Sequence, residues 1–311
     1  MSCFVPIRKA VIPAAGLGTR MFPVSRVVPK ELLPIGGKPL IQYAIDEAVA
    51  SGIEEIVVVI GPRKSWLESF LNPDRESQSE PLSHGKKVDA ESLDAFSSLA
   101  RITIVQQSMP LGLGDALLCA QPTVGEEPFA VILPDALIDA PQPALAQLMA
   151  AYKERPAAFV ATQRVEPCDF SRFGMLAVMP EKDLRVATAP FRVLSIVEKP
   201  RPTNAPSNFG VFGRYLLTPE IFADLKHVGT TIRGEVQLTD ALAIYCRRHP
   251  LYGLVFTGKH YDAGHPLGYL QSVVDFALRN PETGPLLREH LAGLLNQEQR
   301  ENEGVGISER G

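Results

Sequence analysis

The chain has no excess of basic residues: 31 Lys and Arg stand against 35 Asp and Glu in 311 residues, a formal charge of -4 with a pI near 5.9. Blanketing a nucleic acid needs a basic surface to release counterions, so that class of binder is excluded and only a small local basic pocket stays open. Cysteine is sparse and scattered: Cys3, Cys119, Cys168 and Cys246 form no CxxC and no Cys/His cluster. That argues against a zinc site or a disulfide framework, and for reduced thiols. No run of roughly eighteen apolar residues escapes charge or proline, so no membrane-spanning helix is expected. The first apolar run, residues 10–15, is too short for a secretory leader and opens into a glycine loop rather than a cleavage site. The expected compartment is the cytoplasm.

With 45% hydrophobic and 21% charged residues the chain reads as folded and globular, large enough to stand on its own core. No internal repeat is visible. Residues 9–13, 55–60, 101–106 and 129–133 read as buried strands, and residues 40–51 as a helix with Ile41, Ala44, Ile45, Ala48 and Val49 on one face and Gly52 as its stop. The alternation predicts an α/β fold of Rossmann-like character, a mostly parallel, mixed central sheet flanked by helices. Further strands are expected at 158–165, 175–178, 193–197, 210–216 and 252–257, and helices at 219–225 and 236–248. Prolines at first-turn positions open two closing helices, 266–279 and 285–299. Residues 72–100, rich in Ser, Asp, Glu and Pro, read as an insertion that holds a short helix at 90–99, and residues 300–311 as a frayed tail.

The densest feature is Pro13-Ala14-Ala15-Gly16-Leu17-Gly18-Thr19-Arg20-Met21, small residues directly after a strand. Backbone N–H groups in such a loop can approach an anion, and Arg20 adds a fork of charged donors suited to phosphate. A dinucleotide GxGxxG fails because Met21 occupies the third glycine, and a Walker loop fails for want of GK[ST]. Pro29-Lys30-Glu31 follows, with Lys30 on a segment stiffened by proline. The six histidines assemble into no Ser/His/Asp or Cys/His arrangement.

Gly16-x-Gly18-Thr19-Arg20-Met21 with Pro29-Lys30-Glu31 and Lys38-Pro39-Leu40-Ile41 resembles the signature of sugar-1-phosphate nucleotidyltransferases, in particular the bacterial branch that uridylylates glucose 1-phosphate. Further blocks recur in order: Gly112-Leu113-Gly114, Ile132-Leu133-Pro134-Asp135, Val197-Glu198-Lys199-Pro200, Ala205-Pro206-Ser207-Asn208, Gly234 through Ala241, and Asp262-Ala263-Gly264. The resemblance spans roughly residues 8–280. It implies one catalytic domain over 1–280, with a nucleotide-binding half at about 8–140 and a sugar-binding half at about 155–265, followed by a C-terminal helix at 281–299.

The resemblance also implies roles. Ala14, Ala15, Gly16, Gly18, Thr19, Arg20 and Lys30 would hold the nucleotide, and Gln107 with Gly112 would read the base. Glutamine suits uracil because its amide both donates and accepts. Gly174, Glu198, Lys199 and Asn208 would hold the sugar phosphate, and Asp135 with Asp262 would bind Mg²⁺ as hard oxygen ligands. Arg20, Lys30 and Lys199 would neutralise the transition state for UTP and glucose 1-phosphate, since a mostly dianionic sugar phosphate needs no base. A homodimer or homotetramer is expected, with no nucleic-acid or membrane partner.

Two functions compete with uridylyl transfer. One is transfer from another pyrimidine or to another hexose 1-phosphate; the other is a catalytically silent relative that binds nucleotide sugar and regulates a partner. Asp115 departs from the histidine common in close relatives, and a carboxylate near a triphosphate is awkward unless it faces away or touches the metal.

Overall fold

The computed structural model describes residues 5–72, 100–179, 189–230 and 234–308, with side chains of the last stretch to residue 297. The expected insertion at 72–100 and its helix at 90–99 lie almost wholly outside the described residues.

In chain order the elements are β1 (Lys9–Ala14), β2 (Pro34–Ile35), β3 (Lys38–Pro39), α1 (Leu40–Ala50), β4 (Glu55–Ile60), α2 (Ser65–Leu71), β5 (Arg101–Gln106), α3 (Leu113–Val124), β6 (Phe129–Ile132), β7 (Ala136–Asp139), α4 (Ala144–Glu154) and β8 (Ala158–Arg164). Then follow β9 (Gly174–Val178), β10 (Phe191–Glu198), β11 (Phe209–Leu217), α5 (Ile221–His227), α6 (Leu238–Tyr245), β12 (Leu251–Val255), β13 (Lys259–Asp262), α7 (Pro266–Arg279) and α8 (Gly284–Ser308).

Among the described residues, nine strands form one sheet in the order β5-β4-β1-β6-β11-β8-β12-β10-β9. The first four are parallel to their neighbours, as are β8 and β12. β11 runs antiparallel between β6 and β8, and β10 antiparallel between β12 and β9. The sheet is therefore mixed, with parallel pairing concentrated in the first half.

Successive residues of a strand point to opposite faces, and here each face has its own core. Ala10, Ile12, Ile56 and Val58 meet α1 and α4 through Ile41, Ala44, Ile45, Leu145 and Leu148. Val11, Val57 and Val59 meet α3, α5 and α6 through Leu117, Ala120, Phe222, Leu238 and Leu242. Burial on both faces is why 56–60 is an unbroken β-branched run rather than an alternating one.

One buried ion pair, Arg214 with Glu47, crosses this apolar frame. Arg214 of β11, 2% exposed, donates from Nε and Nη2 to the Glu47 carboxylate of α1 at 2.8–3.1 Å, and from Nη1 to Leu133 O at 3.2 Å. Glu47 Oε1 also accepts from Leu145 N at 2.9 Å.

The tail expected to fray from residue 300 is instead helical to Ser308, as α8 continues past residue 299. Gly304 and Gly306 read as breakers, but a glycine inside a helix costs only about 1 kcal/mol against alanine, which an established helix absorbs. α2, α3 and α4 were absent from the expected elements. Gly112 and Gly114 disguise the start of α3, and Pro143 before α4 marks a helix entrance rather than a loop.

Candidate functional site

Parallel register lines up the carboxyl ends of the first strands: Ala14 pairs with Ile60, and Ile60 with Gln106. The loops that leave β1, β4 and β5 therefore share one edge, where open α/β sheets bind ligands. Ala14, the last residue of β1, and Ala15 are buried, while Gly16, Leu17, Thr19 and Arg20 reach the surface. A short 3-10 turn, Thr19–Met21, is tied back by Met21 N to Gly18 O at 2.9 Å, and Ser25 Oγ donates to the same carbonyl at 2.7 Å.

Lys30, opening the 3-10 turn Lys30–Leu32, places Nζ 2.5 Å from Asp135 Oδ2. Burial opposes the lysine charge, but Asp135 and Glu31 outweigh it and hold the amine above its usual range. For Asp135, burial likewise opposes ionisation, and Lys30 overcomes it and holds the carboxyl low. The neighbouring Glu31 is fully buried; its Oε2 accepts from Lys64 Nζ at 2.6 Å and its Oε1 has no hydrogen-bond partner among the described residues. Burial pushes the Lys64 amine down, with Glu31 working against that.

β13 pairs with β7 so that Asp262 stands opposite Ala136, and Ala263 N donates to Asp135 O at 2.9 Å. This hairpin-like contact brings the two expected metal-binding aspartates, far apart in sequence, to one cleft. Close approach dictates Gly264: a Cβ there would stand 2.7 Å from Asp135 Oδ2. Asp262 Oδ2 accepts from Arg172 Nη2 at 2.9 Å. Among the described residues no three His, Cys, Asp or Glu side chains gather around one point.

From the second half, Glu198 ends β10 opposite Gly174 of β9. Lys199 follows in the left-handed region at φ 42, with its N bonded to Phe173 O at 3.1 Å and Nζ 2.9 Å from Glu198 Oε1. Holding a β-carbon residue there costs of order 1 kcal/mol or more, and such strain gathers at functional sites. Asn208 is not brought into the cleft lining: its Oδ1 accepts from Arg164 Nη1 at 3.1 Å, and its carbonyl accepts from Val165 N as β11 begins.

Gln107 follows β5, with N bonded to Ile60 O at 2.8 Å. Its Nε2 donates to Asp115 Oδ2 at 2.7 Å and to Gly112 O at 3.1 Å. Gly112 has φ 96, and a Cβ would lie 2.8 Å from Val236 O, so both backbone and space demand glycine. Asp115 thus faces the glutamine.

One cavity of about 380 Å³ is bounded by Gly16, Lys30, Gln107, Gly112, Asp135 and Lys199. An adjoining one of about 230 Å³ shares Asp135 and Lys199 and is walled by Arg20, Gly174, Glu198 and Asp262. The two halves of the sheet thus contribute to a single cleft. Sequence reasoning missed Lys64, Arg172, Thr239 and His260. Thr239 Oγ1 is buried in the cleft wall without a hydrogen-bond partner among the described residues. Burial pushes the His260 imidazole down to about 4, so it is neutral. The signal for Lys64 was available: Gly61-Pro62-Arg63-Lys64 is a basic loop leaving a strand at the same edge.

The nucleotidyl transferase family profile matches residues 9–277. A UTP–glucose-1-phosphate uridylyltransferase of Bacillus subtilis is 39% identical over 295 residues, 95% of this chain and 98% of that protein. Another, of Mycoplasma genitalium, is 38% identical over 93% of this chain and 97% of that protein. Among solved structures, a UDP-glucose pyrophosphorylase complexed with UDP-glucose superposes with a TM-score of 0.78 at 34% identity, covering 88% of this chain and all of that one. A UTP-bound enzyme of the same kind from Acinetobacter baumannii gives 0.78 at 32% identity, covering 92% and 99%.

Proposed function

The chain belongs to the nucleotidyl transferase family, and from that premise we infer that it joins UTP and α-D-glucose 1-phosphate into UDP-glucose with release of pyrophosphate. The observation that carries this reading is the shared cleft: Lys30 and Asp135 from the first half and Glu198 and Lys199 from the second meet around one space.

The glycine loop after β1 takes the triphosphate, with Gly16, Gly18 and Thr19 offering backbone N–H groups and Ala14 and Ala15 supporting the base side. Glu198 accepts from sugar hydroxyls beside Gly174, and Lys199 holds the sugar phosphate. An oxygen of that phosphate forms the new bond to the α-phosphorus while the bond from the α-phosphorus to the bridging oxygen breaks, and pyrophosphate departs with the electron pair. Arg20, Lys30 and Lys199 neutralise the charge that accumulates in between. No protein base is required, because a phosphate monoester with a second pKa of about 6 is mostly dianionic at neutral pH.

Asp135 and Asp262 fit Mg²⁺ chemically: two carboxylates face one cleft, and that ion takes one or two carboxylates and fills its remaining positions with water and phosphate oxygens. When bound it supplies charge neutralisation on the triphosphate. Lys30 and Arg172 pair with these carboxylates. A homodimer or homotetramer is the assembly we favour, supported by exposed Leu267 and Leu270 on α7 and Leu286, Leu294 and Leu295 on α8; sedimentation of the purified chain tests it. No helix among the described residues is long and apolar enough to cross a membrane, and a cytoplasmic location agrees with that and with the scattered thiols.

Pyrophosphate release measured with UTP, dTTP, CTP and GTP against several hexose 1-phosphates tests the reading. UTP with glucose 1-phosphate should lead. No release with any combination in Mg²⁺ would point to a silent relative, against which stands the presence of Arg20, Lys30, Asp135 and Lys199 in the cleft.

A further inference from the structure

Gln107 is anchored at both ends. Its backbone N donates to Ile60 O, and its side-chain Nε2 donates to Asp115 Oδ2 at 2.7 Å and to Gly112 O at 3.1 Å. Neither acceptor tolerates the reverse arrangement, because an ionised carboxylate and a carbonyl oxygen only accept. Two independent constraints therefore put the NH₂ on the same side, facing two acceptors inside the protein. What the amide has left is its carbonyl oxygen, which accepts and cannot donate. Asp115 is well placed to hold it so, in the first turn of α3, where the helix N-terminus favours a negative charge. The glutamine itself is 3% exposed and borders the cleft beside Ala15 and Gly112.

Resting on the reading of Gln107 as the residue that meets the base, we propose that Asp115 is a positioning residue for base choice: it fixes the Gln107 carboxamide carbonyl-outward, so the site takes a pyrimidine carrying N3–H and rejects one with a bare N3. Uracil and thymine carry that proton; cytosine presents a lone pair there. Two acceptors facing each other leave both unpaired in a desolvated place, the kind of mismatch that gives binding sites their large discrimination. The proposal also accounts for a carboxylate at the start of α3 so close to a phosphate-binding cleft: its charge is turned to an amide and not to the triphosphate.

The test is the ratio of kcat/KM for UTP to that for CTP, in the wild type and in Asp115→Asn, read by pyrophosphate release with saturating glucose 1-phosphate. Asparagine keeps the volume but can donate as well as accept, which lifts the stronger of the two constraints and leaves only the 3.1 Å bond to Gly112 O against a turn that would offer Nε2–H to cytosine. The UTP:CTP ratio should fall at least about tenfold, mostly through gained use of CTP, with kcat for UTP kept within a few-fold. A merely structural role would lower both nucleotides in proportion, and an unchanged ratio overturns the proposal. Should the variant fail to fold, the wild type decides alone: a locked acceptor requires about a hundredfold preference for UTP over CTP, and comparable use of both overturns it. A wild type that releases no pyrophosphate with UTP would sink the functional reading instead; calorimetric binding of UTP and CTP to the same proteins then reads the ratio that decides the role of Asp115.

Discussion

Lys30 Nζ and Asp135 Oδ2 stand 2.5 Å apart across 105 positions of sequence. The lysine belongs to a turn framed by proline after the glycine loop, and the aspartate lies just past the end of β6. Their contact ties the loop that leaves one central strand to the end of its neighbour, and it presets the charge balance of the cleft before any substrate enters.

Asp135→Asn should abolish Mg²⁺-dependent turnover, because a neutral amide is a poor ligand for a hard cation. The fold should persist, since the carboxylate faces the cleft rather than either core. Circular dichroism checks the second point and pyrophosphate release across a Mg²⁺ series the first. Near-normal activity at low Mg²⁺ would remove Asp135 from the metal site.

The same pair predicts a pH window. Lys30 holds the Asp135 carboxyl below 3.8, so its stabilising contribution is present above 3.8 and is lost as pH falls through the lower folded value. The Lys30 amine is held above 10.5, so its contribution is complete below 10.5 and is lost as pH rises through the higher folded value. The stability difference between the wild type and Asp135→Asn should therefore stay flat from about pH 5 to about pH 9 in urea titrations. A difference that decays between pH 7 and pH 5 would contradict it.

Lys199→Ala should raise the requirement for glucose 1-phosphate far more than that for UTP, costing about 2–4 kcal/mol in transition-state stabilisation. Lys199→Gly should lose as much activity yet melt higher than Lys199→Ala, because glycine accepts φ 42 without strain. Steady-state kinetics and thermal melts of the two variants separate charge from backbone.

Glu47→Ala strands the buried guanidinium of Arg214, at a cost of about 3–5 kcal/mol. Adding Arg214→Met should recover much of that loss, because the buried charge is removed. Denaturant midpoints at constant slope measure both steps.

Lys64→Met leaves Glu31 fully buried with neither oxygen hydrogen-bonded to a side-chain cation, again about 3–5 kcal/mol of destabilisation. Glu31→Gln in that background should return part of it, since an unpaired amide is cheaper to bury than an unpaired carboxylate. If Lys64→Met proves neutral, the pair contributes nothing to stability.

Strands 55–60 and 101–106 are legible to the residue, because β-branched runs bounded by turn residues have few alternatives. The order of strands is not, since nothing local says that β11 lies between β6 and β8. Glu47 is equally silent: a glutamate in an amphipathic helix reads as solvated until Arg214 arrives from far along the chain. Lys30, Asp135 and Asp262 can each be picked out from motif and strand-end position, but their proximity depends on pairings such as β7 with β13 that leave no trace in either segment. Asp115 shows the limit most clearly. Its charge looks misplaced in sequence, and only the hydrogen bond to Gln107 shows where it points.

β11 pairs with β6 on one side and β8 on the other, and all nine of its residues are buried. A chain severed between α4 and β8 would give an N-terminal fragment whose β6 edge is bare, and a C-terminal fragment carrying the strand that should cover it. Each piece alone would expose a sticky ladder; mixed, they should reassemble and regain activity. The cleft is thus built on a seam, and its two walls cannot swing apart as hinged lobes without breaking main-chain bonds.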